Sequence, residues 1–179
     1  MALLRLSSGE GTIDLNTVTT ATNMASGSRS DKNHWINRYQ NETGTSINAI
    51  GDINILSGEQ LNIRQGDINS LQGNINLYGK NGVNISEGRQ QPRWIILHIL
   101  NPAVCCRKKT SLDQYQADHD EAVSSNITGA LINISSDKDI NIRGSNVISD
   151  FGTIMQAGND ISISAAENHY ADSSVSQRY

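Results

Sequence analysis

A short apolar–polar–apolar unit recurs along the chain. It appears as Ile53-Asn54-Ile55, Leu61-Asn62-Ile63, Ile75-Asn76-Leu77 and Val83-Asn84-Ile85. It returns as Ile132-Asn133-Ile134, Ile140-Asn141-Ile142 and Ile161-Ser162-Ile163. Alternation with a period of two puts both apolar side chains on one face of a short strand. Ile63, Ile85, Ile142 and Ile163 are expected to point inward, and Asn62, Asn84, Asn141 and Ser162 outward. Turn residues separate the units: Ser57-Gly58, Gly66-Asp67, Gly73-Asn74, Lys80-Asn81-Gly82 and Gly158-Asn159-Asp160.

Equivalent units return at a fixed distance. Ile53 to Ile75 and Leu61 to Val83 are 22 residues apart, and Ile140 to Ile161 is 21. Three turn–strand units to a coil build a triangular solenoid with Ile stacked over Ile. One coil cannot bury its own apolar face, so stacked neighbours are required. The pattern predicts an all-β fold, a right-handed parallel β-helix (solenoid) with extended linker loops between repeat blocks. An antiparallel β-sandwich is the alternative, but it gives no reason for the same strand to return every 21 or 22 residues.

A larger repeat has an offset of about 79 residues. Leu61-Asn62-Ile63-Arg64 aligns with Ile140-Asn141-Ile142-Arg143, and Gly66-Asp67-Ile68 with Ser145-Asn146-Val147. The expected division is a tail of a preceding repeat (1–16), a linker (17–44), block 1 (45–87), a linker (88–124), block 2 (125–165) and a polar tail or linker (166–179). The linkers are expected as loops or hairpins, where binding contacts concentrate, with a disordered connector as an equal alternative for 16–34.

Composition supports the pattern. Ile supplies 22 positions, Asn 20 and Ser 21, while aromatic residues make up 4%. β-Branched apolar residues suit a pleated surface. The balance of 14 basic and 18 acidic residues, net charge −4, leaves no footprint for nucleic acid. The longest apolar stretch, Trp94 to Leu100, is interrupted by His98 and is far below the roughly 20 residues of a transmembrane helix. Met1 to Leu6 is too short for a signal-peptide core, so no export signal is expected in this stretch.

The string from Asp139 to Asn168 carries Asp139-Ile-Asn-Ile-Arg-Gly-Ser-Asn146, Ala157-Gly-Asn-Asp-Ile161 and Ala165-Ala-Glu-Asn168. With Ala117-Asp-His-Asp-Glu-Ala-Val123 ahead of block 2, it resembles the haemagglutinin repeat of filamentous haemagglutinins and contact-dependent growth-inhibition exoproteins. The resemblance covers roughly residues 38–88 and 112–178. It implies a very large parent protein that leaves the cell by two-partner secretion, is secreted or displayed on the bacterial surface, and projects a β-helical rod. It implies an outer-membrane secretion partner and a receptor on a host or bacterial cell. Neither a toxin domain nor a secretion-signal region is expected in this stretch.

Candidate chemistry is sparse. Of His34, His98, His119 and His169, only His119 sits in a potential ligand cluster, Asp118-His119-Asp120-Glu121. Consecutive residues seldom converge on a metal, so this run is expected to be a solvated loop. Glycosylation-type triplets begin at Asn41, Asn84, Asn126 and Asn133. Asn84 and Asn133 lie between inward apolar residues, and stacking of Asn between coils explains them without a glycan. A β-helical polysaccharide-cleaving enzyme would need carboxylates at matching positions in successive coils. Asp52, Asp67, Asp139 and Asp160 fall mainly at turns instead. The sequence therefore points to no catalytic, cofactor-binding or metal site and to no enzyme. It points to a rod segment serving display, adhesion or toxin delivery.

Arg93-Trp-Ile-Ile-Leu-His-Ile-Leu-Asn-Pro-Ala-Val-Cys-Cys-Arg107 departs from the rest. The resemblance implies a protein type in which cysteine is seldom found, and the adjacent Cys105 and Cys106 suggest neither a disulfide nor a metal motif. Reading the codons one base earlier turns the Trp94-Ile95 junction into Asp and Cys105-Cys106 into Leu. It also permits Asp-Tyr-Ser followed by Ser-Gly-Leu-Leu-Ser, which resembles the polar linker of the repeat family. Residues 93–107 are expected to be translated out of frame, and the two cysteines to form no site.

Overall fold

The computed structural model describes residues 3–27, 33–100 and 111–178; of Leu100 only the backbone is described. Two compact units emerge. The first comprises Met1–Val18, Glu42–Gly88 and Ala122–Glu167, and the second Thr19–Asn41, Arg89–Glu121 and Asn168–Tyr179.

The first unit is a stack of parallel coils. Its strands are β1 (Leu4–Ser8), β2 (Ile13–Leu15), β5 (Ser46–Ala49), β6 (Ile53–Ser57), β7 (Gln60–Arg64), β8 (Asp67–Ser70), β9 (Ile75–Gly79), β10 (Gly82–Ser86), β13 (Asn126–Ser136), β14 (Ile140–Arg143), β15 (Asn146–Ala157) and β16 (Ile161–Ser164). The intervening β3 (Val18–Ser26), β4 (His34–Thr43), β11 (Gly88–Leu100), β12 (Ser111–Val123) and β17 (His169–Arg178) belong essentially to the second unit. One face of the coil stacks β1, β6, β9 and the later parts of β13 and β15. A second stacks β2, β7, β10, β14 and β16. The third stacks β5, β8 and the early parts of β13 and β15. Every pairing named here is parallel, as a parallel β-helix requires.

The register stacks like on like. Ile53 pairs with Ile75 and Ile75 with Ile132. Leu61 pairs with Val83, Val83 with Ile140, and Ile140 with Ile161. Ile47, Ile68, Ile127 and Val147 form the third column. Ile53, Ile55, Leu61, Ile68, Ile75, Val83, Ile127, Ile132 and Ile140 are fully buried. Each buried Ile is worth roughly 1.5–3 kcal/mol, which allows a core almost free of aromatic residues.

The inward assignment holds for Ile63, Ile85 and Ile142, which are at most 3% exposed. Ile163 differs. It lies in register with Ile142 yet is 66% exposed, because among the described residues no coil covers the far side of β16.

Of the loops or hairpins expected for the linker stretches, the structure has paired strands, with β3 beside β4 and β11 beside β12, rather than extended loops. They form a five-stranded sheet in the order β17-β12-β11-β4-β3, with β4–β11 and β12–β17 antiparallel. Arg93 to Leu97 take part in it, opposite Arg38 to His34. Cys105 and Cys106 lie outside the described residues. Each excursion leaves the coil at the same point, after a strand of the second face (β2, β10 or β16), and β7 and β14 continue directly into the next coil. One excursion per two coils accounts for the 79-residue period.

Candidate interaction surface

The outer surface of the coils is spent largely on holding coils together. Asn76 Nδ2 donates to Asn54 Oδ1 at 2.7 Å and Asn133 Nδ2 to Asn76 Oδ1 at 2.8 Å. On the second face Asn62 Nδ2 donates to Asp14 Oδ1, Asn84 Nδ2 to Asn62 Oδ1 and Asn141 Nδ2 to Asn84 Oδ1, at 2.7, 2.8 and 3.1 Å. The amides of Asn84 and Asn133 are thus structural rungs. Asn126 accepts from Asn146 at 2.9 Å.

Turn carboxylates act similarly. Asp52 Oδ1 accepts from the Asn74 backbone N–H at 2.8 Å, and Asp139 Oδ1 from that of Asp160 at 3.1 Å. Buried corner serines complete the set. The Ser57 hydroxyl donates to carbonyls of Gly11 or Gln60, that of Ser70 to Gly51, and that of Ser125 to Ser86. Polar groups buried at a corner are costly unless bonded in this way.

The points where a coil continues without an excursion share a device. Arg64 clamps Glu42 through Nε at 3.0 Å and Nη2 at 2.7 Å. Its counterpart Arg143 holds the fully buried carboxylate of Glu87 through Nε at 3.1 Å and Nη2 at 3.0 Å. The next residue turns into the left-handed region in both cases, Gln65 at φ 49° and Gly144 at φ 52°. Glycine accepts that conformation without penalty; glutamine does not.

The second unit holds the chemistry left over. All four histidines lie on its strands. His34 stands opposite Leu97, His98 lies on β11, and His169 stands opposite Asp120. His119 Nε2 is 2.9 Å from Asp172 Oδ1. Its ring is edge-on to Trp94 and Tyr170, with centroids 5.5 and 4.9 Å away. Asp118 and His119 alternate across β12, and each has its own partner. Asp118 lies 3.8 Å from Arg93 and Asp120 3.7 Å from Arg89. The stretch Asp118–Glu121, expected as a solvated loop, is strand. Among the described residues no group of three or more His, Cys, Asp or Glu is placed to hold a metal ion.

The register also places Trp35, Tyr39, Trp94, Tyr115 and Tyr170 on one face of the antiparallel sheet. Trp35, Tyr39, Tyr115 and Tyr170 are 36–55% exposed. Sequence reasoning missed this face. Its only local signal is the even spacing of Trp35 and Tyr39, which becomes meaningful once the segment is known to be a strand. The opposite face carries a shallow groove of about 350 Å³ lined by Arg38, Gln40, Gln91, Arg93 and Asp118 among others. An exposed aromatic face offers flat contact area to a partner.

The coil stack therefore defines a repeat protein of the parallel β-helix class. Residues 108–178 match the family model of the hemagglutinin repeat. The chain is 23% identical over 171 residues to the tRNA nuclease CdiA-2 of Burkholderia pseudomallei (strain 1026b), an alignment covering 90% of this chain and 5% of that protein. No solved structure matches. Over residues 108–178 the chain is thus similar to a haemagglutinin repeat. Among the described residues no helix is long and apolar enough to cross a membrane.

Proposed function

We propose that the chain is a non-catalytic rod segment of a secreted, surface-displayed exoprotein, and that it works in the toxin-delivering, growth-inhibition branch of the family. The observation that carries this is the coil exterior, where amides and turn carboxylates are tied into ladders and caps rather than gathered into a reactive cluster. The similarity to CdiA-2 favours delivery, although nuclease activity belongs to the name of that whole protein. The aromatic face of the antiparallel sheet supports adhesive contact as a second role. The parent's partners would be an outer-membrane secretion protein and a receptor on the target cell.

The test is an in-phase deletion of residues 46–124, one full period, from the parent protein. Surface display should persist, and killing of target cells in co-culture should fall. Unchanged killing at unchanged display overturns the delivery role. Release of unsaturated or reducing ends from acidic polysaccharides by the purified chain overturns the non-catalytic one.

A further inference from the structure

We propose that the groove beside Arg38 and Arg93, within the second unit, binds a phosphate group between the two guanidinium ions. The two arginines stand directly opposite each other in the β4–β11 register, so their side chains share one face of the sheet. Gln40 and Gln91 form the next pair along that face on one side, and Ile36 and Ile95 the next on the other. Like charges directly opposite each other destabilise a sheet. An anion lodged between them relieves that repulsion.

The neighbouring side chains do not supply the anion. Asp118 Oδ2 is 3.8 Å from Arg93 Nε, and the Asp118 side chain is 53% exposed. That distance is too long for a hydrogen bond. Arg93 Nε is buried and has no hydrogen-bond partner. Among the described residues no carboxylate is paired with Arg38. A buried charged donor without an acceptor is costly, so the arrangement favours an acceptor brought from outside.

The groove has a volume of about 350 Å³, and Asn23, Gln40 and Gln91 line it beside the two arginines and Asp118. Guanidinium forks bind oxyanions through paired N–H donors, and the side-chain amides add neutral ones. A planar carboxylate faces one fork, whereas a tetrahedral phosphate presents oxygens to both. The groove exceeds a single phosphate, which leaves room for the rest of an esterified molecule. β4 and β11 are interior strands of the five-stranded sheet, so the arginine pair does not depend on what adjoins the sheet edges. Arg93 opens the stretch expected to be out of frame; the site belongs to the chain as translated.

Titration of the full chain with inorganic phosphate at constant ionic strength tests this, with acetate as the control anion. Nuclear magnetic resonance of the arginine Nε–H groups is the readout. The Arg38 and Arg93 signals should shift and saturate with phosphate but not with acetate. Those of Arg64 and Arg143, already clamped by Glu42 and Glu87, should stay in place. Arg38→Gln should weaken binding about tenfold or more, and strand content by circular dichroism should persist because a like-charge pair is removed. Asp118→Asn removes the carboxylate that competes for Arg93 and should tighten binding several-fold. It keeps both forks, so it decides the matter even where Arg38→Gln loses its fold. Phosphate-sensitive binding to phosphatidylglycerol vesicles would make a lipid headgroup the source, and competition by glucose 6-phosphate without vesicle binding a soluble ester. No saturable shift, an equal response to acetate, equal shifts at all four arginines, or weaker binding by Asp118→Asn overturns the proposal.

Discussion

Ile142→Asp and Asn141→Asp put the same carboxylate on adjacent residues of β14, and the structure separates their costs. Ile142 is 3% exposed and stacks on Ile85. Truncating such a side chain costs about 2–5 kcal/mol, and an unpaired carboxylate in its place adds several more. That is comparable with the roughly 5–15 kcal/mol that holds a whole domain together. Asn141 faces outward and donates one hydrogen bond to Asn84 at 3.1 Å. Losing it costs about 1 kcal/mol, and the same column already carries a carboxylate at Asp14. The variants should differ by at least about 3 kcal/mol. Urea unfolding followed by far-ultraviolet circular dichroism is the assay, since Trp35 and Trp94 both lie in the other unit. Ile142→Asp should unfold its block, while Asn141→Asp shifts the midpoint slightly. Equal shifts would refute the inward and outward assignment.

Gln65→Gly should leave stability unchanged or raise it by up to about 1 kcal/mol. Gly144→Ala should lower it, because a Cβ there would sit 2.5 Å from the Ala166 Cβ; equal losses in urea midpoint would contradict the turn assignment. Arg143→Met removes the guanidinium that clamps the fully buried Glu87 carboxylate and should cost more than Arg64→Met, whose partner Glu42 is 19% exposed; the reverse order would count against the corner clamps. Burial, together with the hydrogen bond and negative charge of Asp137, raises the Tyr78 hydroxyl above its ordinary range. Its neutral form is the one favoured by folding, so this contribution holds below pH about 10 and is lost as pH rises through the folded value. Tyr78→Phe should remove a late-titrating phenol from the alkaline absorbance curve, and an unchanged curve would exclude the contact. The nucleotide sequence should read Ser-Gly-Leu-Leu or a close variant one base earlier across residues 93–107; a stop codon in that frame rejects the shift.

The coils were legible because every buried unit repeats its chemistry. Ile53-Asn54-Ile55 and Ile75-Asn76-Leu77 alternate on one buried face, and the 22-residue return states which strand stacks on which. The excursions were not legible for the converse reason. Val18 to Ser26 is exposed throughout, as is His169 to Arg178, so neither carries a one-sided apolar stripe. Their order comes from backbone pairing with segments far away in sequence, such as Gln114 with Val175. The same gap hid the aromatic face, since Trp94 and Tyr170 meet around His119 only after β11, β12 and β17 pair. Ile163 shows a further limit. Its strand position follows from alternation, but its burial depends on whether another coil lies beyond it.

Methyl–methyl nuclear Overhauser contacts in an Ile, Leu and Val-labelled sample test the parallel coil stack most directly. The account predicts one unbroken ladder from Ile13 to Leu61, Val83, Ile140 and Ile161, and a second from Leu4 to Ile53, Ile75 and Ile132. Contacts that instead join sequence neighbours in antiparallel register, such as Ile53 with Ile63 and Ile55 with Leu61, would contradict it.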